Sequence, residues 1–218
     1  MGEALQRSRH PRSGITTLAG REGEAPYPLR TAPEPRSGGR MRGWLLGVPF
    51  VLILAGAARA ADLTATMYRI DTRGTGEAVG TVTISGGGGG VVFTTDLEGL
   101  PAGRHGFHVH ANGDCGPGPN DAGLVVAGGA AGGHWDPEGT KRHRGPQGGG
   151  HLGDLPALDV AADGTTKERL PAPRITDLAR LKGRALVIHA GGDNYADAPK
   201  PLGGGGERIV CGVIPAAK

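Results

Sequence analysis

Two histidines in the middle of the chain, His108 and His110, are separated by a single valine. Side chains alternate between the two faces of a β-strand, so a strand here would place both imidazoles on one face and Val109 on the other. Two nitrogen ligands on one face can bind one transition-metal ion without bending the backbone. Pairs of this kind also occur on surfaces that bind nothing, so the motif predicts a metal site only if further ligands come close to it.

A second group of side chains that can bind metal lies in one segment farther along the chain. It contains three histidines at irregular spacing and one carboxylate: His134, His143, His151 and Asp154. Three imidazoles and one carboxylate satisfy a tetrahedral Zn²⁺ and leave no open coordination position. The spacing excludes zinc-finger patterns and suits a glycine-rich loop. The alternative is a solvated loop that happens to be rich in histidine.

A further histidine, His189, ends the apolar segment Ala185–Ile188. Taken alone, a histidine at the end of a buried strand is more often a structural residue than a ligand. Whether it joins either group depends on where the fold places that strand.

The elements that must position these side chains are short β-strands. Several segments alternate in hydrophobicity with a period of two, and Gly- and Pro-rich breaks separate them. The segments are Leu63–Ile70, Val79–Ser85, Val91–Leu97, Gly106–His110, Ala157–Ala161, Arg184–His189 and Ile209–Ile214. The pattern predicts an all-β sandwich or small barrel, with at most a turn or two of helix at 175–181. The connections 111–155 and 190–207 are longer than a hairpin needs, which indicates a functional role.

The composition is rich in turn-forming residues, with 43 Gly and 17 Pro among 218 residues. Collagen and disordered chains share this property, but here the glycines follow no three-residue repeat and apolar segments are distributed along the chain. The formal net charge of +3 arises from residues 1–60, which hold nine Arg and four Glu. Since residues 61–218 carry a net charge of −2, we expect no nucleic-acid partner.

The first sixty residues contain a pattern typical of secreted proteins. From Met41, a short basic stretch is followed by the apolar run Trp44–Ala58 and by the sequence Ala58–Arg59–Ala60. These are the three parts of a secretory signal peptide that is cut after Ala60. A membrane anchor is the alternative, but the run has 15 residues and includes Pro49, too short for a stable span. We therefore expect no membrane anchor after cleavage.

The chain thus divides into three parts. Residues 1–40 are expected to be a disordered or over-predicted extension, 41–60 the signal peptide, and 61–218 one domain that is exported to an oxidising compartment. Both cysteines, Cys115 and Cys211, lie in the exported part. An oxidising compartment makes a disulfide the default for such a pair, and two buried free thiols are the alternative.

Six motifs of the chain occur together in one known family. They are His105–His110, Gly132–Pro137, His143–Pro146, Gly150–Pro156, Ala185–Tyr195 and Gly206–Ile214. In this order they are typical of the copper/zinc superoxide dismutases, and the chain resembles the secreted bacterial branch of that family over essentially all of 62–214. The resemblance implies an eight-stranded antiparallel Greek-key β-barrel with long metal-binding loops.

The resemblance also implies a role for each candidate ligand. One copper per chain would be held by His108, His110, His134 and His189, and one zinc by His134, His143, His151 and Asp154. The ring of His134 is then shared, with one nitrogen on each metal. Asp193 corresponds to the carboxylate that links a copper histidine to a zinc histidine, and His105 to a residue that supports the copper strand. Cys115 and Cys211 correspond to the intrasubunit disulfide of the family.

The implied activity is the dismutation of superoxide to O₂ and hydrogen peroxide by a redox-cycling copper. Arg208 matches the active-site arginine of the family, which would bind the superoxide anion, and His134 would carry a proton. The main alternative is a copper- and zinc-binding or delivery module without turnover on the same fold. Such a module has no use for Arg208. A zinc hydrolase is a weaker alternative because it needs an open zinc position.

Two features depart from the pattern of the family. Trp135 stands where a smaller aromatic residue is usual, and the segment 116–131 is long and rich in Gly and Ala. This region and its neighbours shape the dimer contact in the family, so a homodimer is a prediction that the resemblance allows but does not imply. The partner that the resemblance does imply is superoxide.

Overall fold

The computed structural model describes residues 61–87, 89–120 and 122–216. These residues form eleven strands: β1 (Leu63–Asp71), β2 (Gly74–Gly87), β3 (Gly90–Leu97), β4 (Gly103–His105), β5 (Phe107–His110), β6 (Gly118–Pro119), β7 (Val125–Val126), β8 (Leu158–Val160), β9 (Arg169–Ala172), β10 (Ala185–His189) and β11 (Arg208–Val213). They also contain short 3₁₀ helices at Gly129–Ala131, Leu178–Leu181 and Leu202–Gly204. The predicted extension at 1–40 and signal peptide at 41–60 lie outside the described residues.

Seven strands form one antiparallel sheet in the order β5-β10-β11-β1-β2-β3-β9, while β4 pairs with β8 and β6 with β7. β4 and β5 are one chain segment interrupted at Gly106. When they are counted as one strand and the two-residue pair β6–β7 is set aside, the eight expected strands are present. β5 lies beside β10 and β1 beside β11, so partners distant in sequence pair in the Greek-key manner. The all-β prediction is confirmed.

Two local features differ from what the sequence pattern indicates. The pattern does not reveal β9, because Pro171 interrupts it; the structure places β9 at the edge of the sheet, where a proline is tolerated. At 175–181 only one 3₁₀ turn forms, Leu178–Leu181, which agrees with the apolar spacing of three. The Asp177 side chain caps this turn by accepting the Ala179 backbone N–H at 2.9 Å. In the described residues, we find no helix long and apolar enough to cross a membrane.

The strands β5 and β10 are buried on both faces, and the two faces have different neighbours. Their contribution to the main hydrophobic core is Phe107, Val109, Leu186 and Ile188. On the other face of β10, Ala185 and Val187 pack in a smaller apolar cluster with Cys115 and Cys211. His189 shares the alternation of Ala185 and Val187, so β10 directs this histidine away from the main core.

Candidate metal centre

Three histidines lie close together on the paired strands β5 and β10. His108 and His110 are completely buried, and His189 is 5% exposed at the end of β10. The backbone N–H of His189 donates to the carbonyl oxygen of Gly106 at 2.8 Å, which ties the end of β10 to the start of β5. The ring of His105 contacts the carbonyl oxygen of His189 at 2.8 Å and braces the same point. Sheet pairing therefore places all three imidazoles.

The edge of β5 that faces away from β10 forms hydrogen bonds with the loop that carries the remaining candidate ligands. Val109 donates its backbone N–H to Gly153 at 2.9 Å, and its carbonyl accepts the N–H of Trp135 at 2.8 Å. Gly153 passes so close to β5 that a Cβ there would overlap the carbonyl oxygen of Val109. These backbone bonds bring the adjacent residues His134 and Asp154 to the edge of the strand.

The first group of converging side chains consists of four histidines: His108, His110, His134 and His189. One ring nitrogen of each lies within 4.8 Å of the others, and all four residues are buried. These nitrogens are Nδ1 of His108 and Nε2 of the other three, and none has a hydrogen-bond partner among the described residues. Buried polar atoms without partners are rare and costly, so four that face one another indicate a cation site.

The second group consists of His134, His143, His151 and Asp154. Nδ1 of His134 and of His143 each lie 3.0 Å from Asp154 Oδ1, and Nδ1 of His151 lies 3.3 Å from it. Burial opposes ionisation of Asp154, but hydrogen bonds from the three imidazoles outweigh it and hold the pKa of this carboxyl far below its ordinary value. Burial also lowers the pKa of His143, but Asp154 and Asp193 outweigh it and raise this pKa to about 9. Three nitrogens and one oxygen form the donor set of a closed zinc site.

In His110 and in His189, a hydrogen bond from one ring nitrogen determines that the other nitrogen is available to bind a cation. Nδ1 of His110 donates to the carbonyl oxygen of Gly132 at 2.9 Å, and Nδ1 of His189 to that of Gly206 at 3.1 Å. A neutral ring that donates from Nδ1 carries its lone pair on Nε2, the atom that enters the first group. Burial lowers the pKa of both imidazoles, that of His189 to about 3. Both rings are therefore neutral near pH 7, with Nε2 available to bind a cation.

The carboxylate of Asp193 links the two groups. Its Oδ2 accepts Nε2–H of His108 at 2.8 Å, and its Oδ1 accepts Nε2–H of His143 at 2.7 Å. Burial would raise the pKa of Asp193, but the bonds from His108 and His143 outweigh it and keep this pKa well below its ordinary value. The ionised carboxylate thus orients one ring of each group, which is the link that the resemblance implies.

A fixed positive charge lies beside the first group. Arg208 begins β11, and its guanidinium donates to the carbonyl oxygens of Gly128 and Gly132, the latter at 2.7 Å. Gly132 also accepts from His110, so the arginine and a ring of the first group share an acceptor. The loop that supplies these carbonyls is tied to β11 by the disulfide Cys115–Cys211, with Cα atoms 5.7 Å apart. The predicted disulfide is confirmed.

The structure brings together every candidate ligand, together with the arginine and the linking carboxylate. It also adds residues that the sequence analysis did not single out. Asp197 accepts the backbone N–H of His143 at 3.0 Å, and Arg174 donates to the carbonyl oxygens of Gly150 and His151 at 2.8 and 3.0 Å. Contacts to backbone atoms leave no signature in residue type. The sequence could indicate only that the long connections 111–155 and 190–207, in which the contacted carbonyls and Asp197 lie, have a functional role.

Comparison with known sequences agrees with this geometry. The family described as copper/zinc superoxide dismutase (SODC) matches residues 78–214. The Cu-Zn superoxide dismutase 2 of Salmonella typhimurium is 52% identical over 170 residues, which cover 78% of this chain and 98% of the relative. The Cu-Zn superoxide dismutase of Escherichia coli strain K12 is 50% identical over 163 residues, which cover 75% and 94%.

Solved structures give the same result for the fold. The Cu/Zn superoxide dismutase from Brucella abortus matches with a TM-score of 0.68 at 51% identity, covering 71% of this chain and 99% of that one. The monomeric copper, zinc superoxide dismutase from Salmonella enterica gives a TM-score of 0.63 at 52% identity with the same coverage. A SOD-like protein from Bacillus subtilis is more distant, with a TM-score of 0.54 at 29% identity over 69% of this chain and 97% of that one.

Proposed function

The chain belongs to the copper/zinc superoxide dismutase family and converts superoxide to O₂ and hydrogen peroxide with copper and zinc as cofactors, and we propose that the two groups described above hold these metals. Copper would be held by His108 Nδ1, His110 Nε2, His134 Nε2 and His189 Nε2, and zinc by His134 Nδ1, His143 Nδ1, His151 Nδ1 and Asp154 Oδ1. One copper and one zinc per chain would then share the ring of His134.

The observation that carries this assignment is the direction of the unpartnered ring nitrogens. The first group offers nitrogen only, which suits copper, and the second offers three nitrogens and one oxygen in a closed set, which suits a structural zinc. Copper supplies one-electron exchange with superoxide, whereas zinc has no redox chemistry and holds its ligands in place. The hydrogen bonds of His108, His110 and His189 orient the donor set before a metal binds.

His134 is the residue that we assign to proton transfer. Its ring belongs to both groups through different nitrogens, Nε2 and Nδ1. The zinc side would keep the ring in position, and Nε2, when it is not bound to copper, would take up a proton from solvent and pass it to the peroxide product. Burial lowers the pKa of His134 in the metal-free protein, and the hydrogen bond to Asp154 opposes this only in part.

Arg208 is the residue that we assign to superoxide binding. Its guanidinium is permanently charged, and two carbonyl oxygens hold it beside the first group. A fixed cation beside the proposed copper ligands attracts a small anion and raises the rate of productive encounters.

A metal-binding or delivery module without turnover is the second candidate for this fold. Arg208 argues against it, because a metal store needs no cation that binds an anion beside the copper ligands. A zinc hydrolase would require an open zinc position, and the second group supplies four protein ligands. The enzyme is therefore favoured over both alternatives.

We further propose that the protein is exported to the periplasm by a signal peptide at 41–60 that is cut after Ala60, and that 61–218 is the mature domain. The disulfide Cys115–Cys211 supports this, because such bonds persist in oxidising compartments. Mass spectrometry of the periplasmic fraction tests it. A first residue of Ala61 is expected, and an uncut protein in the cytoplasmic fraction would contradict export.

A homodimer is a separate prediction, and two observations bear on it. Leu124, just before β7, and Val125, at its start, are 65% and 63% exposed, and neighbouring apolar side chains on a surface favour an interface. The relative from Salmonella enterica, however, is described as monomeric. Light scattering of the purified protein distinguishes the mass of one chain from that of two.

Stopped-flow decay of superoxide tests the enzymatic function directly. The purified protein with one copper and one zinc per chain is expected to act near the diffusion limit, for which superoxide dismutase is a known example. Removal of copper should abolish the decay. A rate no higher than that of free copper, with both ions bound, would leave a metal-binding module as the function.

A further inference from the structure

The carboxylate of Asp193 has three donors rather than two. His108 and His143 donate from Nε2, one to each oxygen. The third donor is the backbone N–H of Tyr195, which lies 2.7 Å from Oδ1. Asp193 can orient a ring of each group only if the plane of its own carboxylate is fixed. Tyr195 supplies the contact that comes from neither group.

Tyr195 makes this contact in an unfavourable backbone conformation. Its φ angle is +57°, in the left-handed region that residues with bulky side chains rarely adopt. Glycine adopts this conformation without strain and is abundant in the same loop. A tyrosine at such a position requires side-chain contacts that compensate for the strain.

The side chain of Tyr195 provides such contacts with three other segments. Its hydroxyl oxygen accepts the backbone N–H of Ala157 at 2.9 Å and the Nη2 of Arg104 at 3.2 Å. Its ring covers Gly145, where an added Cβ would lie 2.7 Å from the nearest ring atom. Gly145 follows His143 by two residues. The phenol therefore anchors its own loop both to the barrel and to the segment of the second group.

We propose that Tyr195 is a positioning residue for both metals: its phenol anchors the loop so that its backbone N–H holds the Asp193 carboxylate between His108 and His143. This inference rests on the metal sites proposed above. The hydroxyl of Tyr195 bonds to Ala157 and Arg104 and to no metal-ligand residue. Its loss is therefore expected to loosen the carboxylate without removing a ligand.

The substitution Tyr195→Phe removes one oxygen and keeps the ring over Gly145. Holoenzyme expressed from the full chain is compared with the variant by competition of each metal with a chromophoric chelator, and by the visible spectrum with Co²⁺ in place of zinc. Loss of a residue that orients a metal ligand costs about 10–100-fold in affinity, so we expect the dissociation constants of zinc and of copper each to rise about 10-fold and the Co²⁺ bands to shift. Tyr68→Phe, at a partly exposed tyrosine of β1, is the matched control and should change neither.

A double-mutant cycle with Asp193→Asn separates positioning from general support of the fold. If Tyr195 acts through Asp193, Tyr195→Phe has little further effect on zinc affinity once Asp193 is changed. Equal effects in both backgrounds, or an unchanged affinity and spectrum in the single variant, would overturn the proposal. If the Phe variant does not fold, Arg104→Met, which removes one partner of the hydroxyl and keeps Tyr195, tests the same anchor. Unmodified protein that binds neither metal would instead overturn the proposed sites, so the two failures are distinguishable.

Discussion

The two halves of the metal centre are built in different ways. The proposed copper half takes three of its ligands from paired strands whose opposite face is the hydrophobic core: His108, His110 and His189. The proposed zinc half takes its ligands from one irregular loop, which is held by two backbone hydrogen bonds to β5 and by side chains such as Arg174 and Asp197. Sheet register positions the first set without help from a metal. The second set has fewer supports, so we infer that it depends on its ion.

Removal of zinc should give the largest contrast between the halves. Structural zinc contributes about 10–16 kcal/mol to the folding of small zinc domains, so backbone amides of the loop are expected to exchange hydrogen about 1000-fold faster or more. Amides of β10, such as those of Val187 and Ile188, should keep their protection. Hydrogen exchange followed by mass spectrometry, with and without zinc, measures both. Equal changes in β10 and in the loop would contradict the inference.

Substitution of His134 is expected to disrupt both halves at once, because its ring belongs to both groups. His134→Ala should lower the rate of superoxide decay by about 100-fold or more, since groups that transfer protons contribute about 10²–10⁴-fold. It should also separate the metals magnetically, as seen by electron paramagnetic resonance with copper in one site and Co²⁺ in the other. A magnetically linked pair that persists in the variant would refute the shared role.

Arg208 tests the copper half without disturbing its ligands. Arg208→Ala should lower the second-order rate by about 10-fold and weaken its dependence on salt, because a steering charge is lost. Both metals should stay bound. Arg208→Lys keeps the charge but loses the fork that reaches Gly128 and Gly132, so an intermediate rate is expected. An unchanged rate for the alanine variant would remove Arg208 from the reaction.

Arg174 tests the zinc half in the same way, with the smallest expected effect. Its guanidinium bonds to the carbonyl oxygens of Gly150 and His151, and each such bond contributes about 1 kcal/mol. Arg174→Met removes both bonds, and about half of their contribution is expected to act on the bound ion, so zinc binding should weaken by about 5-fold in a chelator competition. Copper affinity, measured with zinc bound, should not change. Arg169→Met, at an exposed arginine of β9, serves as the control. An equal loss of copper affinity in the zinc-loaded protein would show that Arg174 supports both halves.

The same contrast determines how much of the centre the sequence could predict. The period of two placed His108 and His110 on one face before any fold was known, and the donor types of the loop predicted zinc. His189 shows where the pattern stops: a histidine at a strand end is ambiguous until pairing brings it beside β5. The family resemblance, rather than periodicity, pointed to it.

Other parts of the molecule could not be predicted for physical reasons. The carbonyl oxygens of Gly128 and Gly132 hold Arg208, but every residue has a carbonyl, so residue type carries no signal. β9 contains Pro171, which obscures a strand pattern. The start of β2 at Gly74 is polar and rich in glycine, and only its pairing with β1 makes it a strand.

One ring placed in two sites has a thermodynamic consequence. Zinc on Nδ1 of His134 would change the charge and the protonation of Nε2, and with them the affinity for copper on that nitrogen. Since free energy does not depend on the order of loading, copper would change the affinity for zinc by the same factor. Each ion would thus be an allosteric effector of the other. The order of loading would alter the route to the filled centre but not its free energy.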